Sequence, residues 1–275
     1  MVMRKWLRIM NKIIIDGENF DVNVDDCIEV NVTRKNKFLN VKNVNIKIKD
    51  DTELVLESIS SFFKLDICIN VLKGVKAKIY ELKSGGECKY QYRYYLDKDS
   101  DISIWKVNDA LSVQENILVN LNGENAKIDF NLKTVCKNKE KYNIMVYHNA
   151  KKTISNIINN GVNILDGSLE FNVSTFIPEG IIKCDASQSG RIINETNNEC
   201  TIKPNLFIDE NDVVANHSAL IGTFSEDEIF YLMSRGIGKK ESQSFLTQGF
   251  LLKKMDYYKK EILNIINKYW RWEYE

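Results

Sequence analysis

The chain has 275 residues, in which 38 Lys and Arg balance 38 Asp and Glu. That balance excludes the strong positive field by which proteins hold nucleic acid or an anionic membrane, so neither is expected as a partner. With only 2 prolines and 13 glycines, the chain is neither disordered nor linker-rich, and it is long enough to bury a core.

The opening stretch MVMRKWLRIMNKIIID contains no apolar run long enough for a signal peptide or a membrane span. Six cysteines at positions 27, 68, 88, 136, 184 and 200 form no CxxC pair. They are read as reduced thiols in a cytoplasmic protein. From Lys12 to Val32, short runs such as FDVNV and CIEVNV alternate as half-buried strands do.

From about residue 40 a repeat emerges. DDTELVLES begins at Asp51, GVKAKIYEL at Gly74, DSDISIWKV at Asp99 and GENAKIDFN at Gly123, each a small or acidic turn followed by alternation. Leu54, Ile79, Ile104 and Ile128 fall at equivalent places, 25, 25 and 24 residues apart. A strand-based period in the twenties predicts a mainly β chain wound as a solenoid, in which stacked units close one apolar core. A β-sandwich with accidental spacing is the alternative. DGSLEFNV at Asp166 and PEGIIKCDAS at Pro178 continue the pattern, whereas TISNIINNGV, between Thr153 and Val162, resembles a loop or a strand change.

The character of the chain changes between Asn211 and Phe250. Ser225 with Glu228 three residues on forms a capping box, Ile229, Phe230, Leu232 and Met233 give a helix one apolar side, and Gly236 suits its stop. A second helix is expected from Lys239 to about Gly249. A long amphipathic helix is then predicted, with a stripe of Leu251, Met255, Tyr258, Ile262, Ile265 and Tyr269, and the aromatic end YWRWEYE sealing it onto the solenoid. The stripe suits either a core or a partner site. The expected division is a strand-rich segment at 1–40, a β-helix core at 41–222 and a C-terminal helical domain at 223–275.

GIGKKES at Gly236 is not a phosphate loop, because the position where a Walker motif needs its first glycine is Met233. No Ser-His-Asp order, HExxH or paired carboxylates stand out, so no enzymatic activity is assigned. His217, in VVANHSALIG, reads on composition as a turn or surface residue. Cys184 and Cys200 read as small buried residues, although thiolate and imidazole are also the ligand types of iron and iron–sulfur clusters.

The stretch from Gln188 to Leu252 resembles the SufB/SufD family of iron–sulfur cluster assembly scaffolds. QSGRIINETNNECTIKPNLFIDENDVVANHSALIGTFSEDEIFYLMSRGI and ESQSFLTQGFL carry the resemblance, with NGENAKIDF and YHNAKKTISNIINNGV upstream. It implies a right-handed parallel β-helix followed by helices that dock a SufC-like ABC ATPase. Docking is placed on Ser225, Glu228, Phe230, Tyr231, Arg235 and Gly236. It also implies cores that pair, with a SufB-like chain or a second copy of this one, around a transient iron–sulfur cluster. ATP would be hydrolysed on the partner, with no nucleotide bound by this chain.

By the same resemblance His217 falls on the family's interface histidine. The SufB-type cysteines would fall at Ser189 and near Val119, and both are missing. The acidic neighbours of the SufB histidine are replaced by Asn216 and Ser218. These departures place the chain nearer SufD, or a minimal single scaffold, with Cys184 and Cys200 as candidate substitute thiolates by proximity in sequence. The alternatives are an architectural ATPase-binding partner that holds no cluster, and a β-helix carbohydrate enzyme with a cleft of acidic and aromatic residues.

Overall fold

The computed structural model describes residues 11–16, 19–36, 41–60, 63–255 and 257–270. The expectations for residues 1–10 and for most of the aromatic end therefore lie outside the described residues. Alternating residues form β1 (Asn11–Asp16), β2 (Asn19–Asn23), β3 (Ile28–Asn36), β4 (Val41–Ile48), β5 (Thr52–Ser60), β6 (Phe63–Val71), β7 (Lys76–Leu96) and β8 (Asp101–Leu121). They continue as β9 (Lys127–Cys136), β10 (Lys139–His148), β11 (Ile154–Asn163), β12 (Ser168–Ile177), β13 (Asp185–Asn194), β14 (Thr201–Ile208) and β15 (Val214–Gly222). The helices α1 (Glu226–Met233), α2 (Lys239–Leu252) and α3 (Lys259–Tyr269) follow.

The strands wind into a parallel β-solenoid of about seven turns. One wall stacks β1, β5, the first half of β7, the first half of β8, β9, β11, β13 and β15. The other stacks β4, β6, the second halves of β7 and β8, β10, β12 and β14. β7 turns the corner between walls at Gly85, whose φ of +106° is open to glycine. Five successive turns pass through a left-handed residue, in the series Gly74, Asp99, Asn125, Lys152 and Lys183. The N–H of each donates to a carbonyl of the next coil, so the turns form a ladder of their own.

Because side chains alternate, each wall sends every second residue inward and the inward residues stack in columns. One column runs Leu54, Ile79, Ile104, Phe130, Ile157, Gln188 and His217. Ile128 is not the partner of Ile104, as equal spacing suggested; it lies beside Ile102, and Phe130 takes the place beside Ile104. The coil from β8 to β9 is longer than 24 residues, and parity keeps both side chains inside. Thr153–Val162 is likewise no loop: nearly all of it is β11, paired on both edges with β9 and β13. Its asparagines had obscured an inward set that includes Ser155, Ile157 and Asn159.

Charged residues also occupy the interior. Glu81, Lys83, Lys106 and Glu115 are at most 1% exposed. Lys83 Nζ lies 3.0 Å from both Glu81 and Glu115, and Lys106 Nζ contacts Glu115 and stands 3.1 Å from Glu81. Lys106 also sits 3.3 Å from the centre of the Tyr92 ring, whose hydroxyl donates to Glu81. Burial opposes the charge on Glu81, but Lys106 and Lys83 outweigh it and hold the carboxylate below its usual range.

The expected long C-terminal helix is broken. α2 runs three residues past Gly249 to Leu252, Lys254 takes a φ of +59°, and α3 starts afresh at Lys259. The predicted stripe is nevertheless core: Leu251, Met255, Tyr258, Ile262 and Ile265 are buried with Val107, Val135, Val162 and Ile193 on the outer face of the first wall. Trp105 Nε1 donates to the Lys254 carbonyl at 3.1 Å, and Tyr80 stacks between Trp105 and Tyr257.

Candidate functional site

The two ends of the solenoid differ. At the start, β2 and β3 add antiparallel to β1 and β4 and close the first coil. At the far end, among the described residues, β14 pairs only with β12 and β15 only with β13, so each keeps a free edge. Natural edge strands are usually blunted by charge, proline or cover. β15, reading VANHSALIG, has none of its own. Val214, Leu220 and Ile221 on it are exposed, as is Phe207 on β14 at 52%.

His217 lies in this last coil, in an interior column but exposed because no coil of the described residues stacks beyond it. Directly behind it is Gln188, 2% exposed, whose Nε2 donates to Thr175 Oγ1 at 2.7 Å and to the Asn205 carbonyl at 3.1 Å. On the outer side of the same strands Ser187 donates to Asn216 at 2.9 Å, and Ser218 donates to Ser189 at 3.1 Å. Ser189 is thus one residue along and one rung behind His217, whereas Val119 is sealed in the core.

The candidate thiols are placed differently. Cys184 is 2% exposed, with its sulfur 3.2 Å from Thr153 Oγ1 and within reach of the Ala150 and Ile181 carbonyls. Cys200 packs half-buried against the main core, and burial pushes its thiol up. None of the six cysteines forms a disulfide. Among the described residues no three His, Cys, Asp or Glu side chains converge to hold a metal ion. The structure does not bring His217, Cys184 and Cys200 into one such group.

The second histidine, His148, was given no role by sequence reasoning. It is fully buried, with Nδ1 2.7 Å from Thr153 Oγ1 and Nε2 2.9 Å from Ser155 Oγ. Its inward parity in YNIMVYH was the available signal, since strands of that wall alternate through Tyr142, Ile144 and Val146.

α1 carries the other candidate surface. The Ser225 N–H donates to Glu228 at 3.3 Å, and Gly236 ends the helix with a φ of +84°. No residue of α1 is buried. Its expected apolar side divides: Ile229 and Leu232 are half-buried, Ile229 against the cluster around Leu251 and Met255, whereas Phe230 is 72% exposed with Met233 and the 57% exposed Tyr231 beside it. Arg235 donates to the Tyr231 hydroxyl at 2.9 Å and lies over its ring. An apolar group of this kind, flanked by Glu226, Asp227 and Arg235, is what an interaction site presents.

Two clefts on the solenoid, about 450 and 260 Å³, are lined by Glu87, Lys89, Lys139 and Lys141 and by Asp51, Glu53, Lys76 and Asp101. Neither holds an aromatic side chain. No described helix is long and apolar enough to cross a membrane.

A family model described as SUF system FeS cluster assembly, SufBD core domain, matches residues 26–250. The chain is 31% identical over 159 residues to the iron-sulfur cluster assembly protein SufD of Bacillus subtilis (strain 168), covering 56% of this chain and 36% of that one. It is 26% identical over 141 residues to SufD of Escherichia coli (strain K12), covering 50% and 33%. A SufBD family protein of Mycobacterium leprae matches at 30% over 110 residues, 38% of this chain and 12% of the relative. The chain thus spans about a third, or less, of the length of these curated relatives. A parallel solenoid followed by short helices, a core-domain match over most of its length and relatives named SufD make the chain a member of the SufB/SufD family, nearer to SufD.

Proposed function

We propose that this chain is a scaffold subunit in iron–sulfur cluster assembly, pairing through the open end of its solenoid and docking a SufC-like ABC ATPase through α1. The observation that carries the reading is the last coil: an uncharged, unblunted edge strand that presents His217 beside exposed apolar side chains. A free strand edge gains its missing hydrogen bonds by adding another strand. A SufB-like chain or a second copy would cover it, and the cluster, as cargo, would be held between the two with His217 as this chain's ligand. That the described residues gather no complete ligand set fits a site completed across an interface.

Anaerobic reconstitution of the paired complex with iron and sulfide tests the ligand. Replacing His217→Ala should lower bound iron and acid-labile sulfide severalfold. Equal loading would leave the second reading, a purely architectural partner, which the enclosed thiol of Cys184 favours. The native mass of the complex separates a self-paired scaffold from a mixed pair.

Docking has its own test. Exposed aromatics that become buried at an interface are frequent hot spots, each about 2 kcal/mol or more. Phe230→Ala should therefore weaken ATPase binding at least about 30-fold by calorimetry with little change in melting temperature, because Phe230 is 72% exposed. Undiminished binding by Phe230→Ala together with Tyr231→Ala would remove α1 from the docking surface.

A further inference from the structure

The carboxamide of Gln188 has one end in use and one end idle. Its Nε2 is committed to Thr175 and Asn205, both on the opposite wall. Its Oε1 is shielded from solvent and has no hydrogen-bond partner among the described residues, His217 included. A buried acceptor left unpaired costs about 1–3 kcal/mol, so a polar atom held in this way points to a missing donor. The rung behind Gln188 in its column is Ile157, which has none to offer. The rung ahead is His217, one strand spacing away, about 4.8 Å.

Amide ladders already bridge that spacing in this solenoid. On the outer face of the second wall Asn143 donates to Asn116, and Asn172 donates to Asn143, each at 2.9 Å.

We propose that Gln188 is the positioning residue for His217: its Oε1 accepts one imidazole N–H and so leaves the other ring nitrogen with its lone pair turned to the open end. An amide oxygen can only accept, so this bond selects one neutral tautomer and holds the ring plane. The consequence for the cluster rests on the reading of His217 as a ligand, since ligating histidines use one nitrogen for the metal and anchor the other in this manner. The competitor for Oε1 is Asn159, fully buried on a neighbouring column, whose two side-chain polar atoms also lack partners. A water shared by the two amides would leave His217 untouched.

The chain has only two histidines, so ring nitrogens of histidine-labelled full-length protein give two resolvable sets in long-range proton–nitrogen NMR, with buried His148 as internal standard. In the wild type, His217 should show one dominant tautomer. In Gln188→Met, which keeps length and removes the acceptor, its two nitrogen shifts should move toward averaged values while those of His148 stay put. Gln188→Asn, which shortens the reach, should do the same and serves if the methionine variant does not fold. Iron loading of the paired Gln188→Met complex should fall about tenfold or more, the usual effect of removing such a partner. An unchanged His217 tautomer pattern in either folded variant overturns the proposal. A changed pattern combined with full loading of His217→Ala would keep the orienting bond and remove the ligand reading, so the two fail separately.

Discussion

Replacing Lys106→Met should destabilise the chain by about 3–5 kcal/mol, seen as a lower urea midpoint with the strand signal otherwise unchanged. Methionine nearly matches lysine in length, so little packing is lost. What changes is charge: Glu81 and Glu115, at most 1% exposed, would face Lys83 alone. Breaking a buried ion group from one side leaves an uncompensated charge that the low-dielectric interior cannot screen, whereas removing both members of a pair is often neutral. Lys106→Met combined with Glu115→Gln should accordingly recover most of the loss. A single variant within about 1 kcal/mol of the wild type would mean that the interior is wet enough to solvate the free carboxylate.

Acid should unfold the protein partly through His148. Thr153 Oγ1 donates to the Ala150 carbonyl at 3.0 Å, so it accepts from His148 Nδ1–H, and Nε2 accepts from the Ser155 hydroxyl. The ring is therefore neutral and satisfied, and burial lowers its pKa from 6.5 to about 4. Between those values the unfolded chain binds a proton that the folded chain refuses, so stability is intact above pH 6.5 and falls as the pH drops toward 4. The gap between those two values corresponds to about 3.5 kcal/mol. Glu140 and Glu195 work in the opposite sense, because burial raises both carboxyls. The measurement is therefore the difference between wild type and His148→Gln in denaturant stability at pH 7 and pH 4. Parallel curves would show that the imidazole is protonated inside the fold.

Much of this interior was legible by parity. In KAKIYELKS the inward set Ala77, Ile79, Glu81 and Lys83 follows from strict alternation once Ile79 is assigned to the core, and Ile104 places Lys106 inside in the same way. Charge ordinarily marks an outward position, so composition alone does not signal the ion group, and the polar character of His148 and of the β11 asparagines is equally that of a surface or a loop. The exposure of Phe230 was not legible: nothing in EDEIFYLM distinguishes Ile229, which packs against the chain's own cluster, from Phe230, which is left bare.

Local order in the chain determined the strands, their inward faces, the helix caps and the stripe that becomes the second core, because alternation of two and steps of three and four are properties of short segments. Tertiary structure alone decided the coil register, since one or two extra residues per turn change which side chains share a rung without changing any strand. It alone decided that no described strand covers the last coil, because an edge is defined by the lack of a neighbour and not by anything within the strand. His217 is exposed and Gln188 buried in the same column for that reason: stacking continues past one and stops at the other.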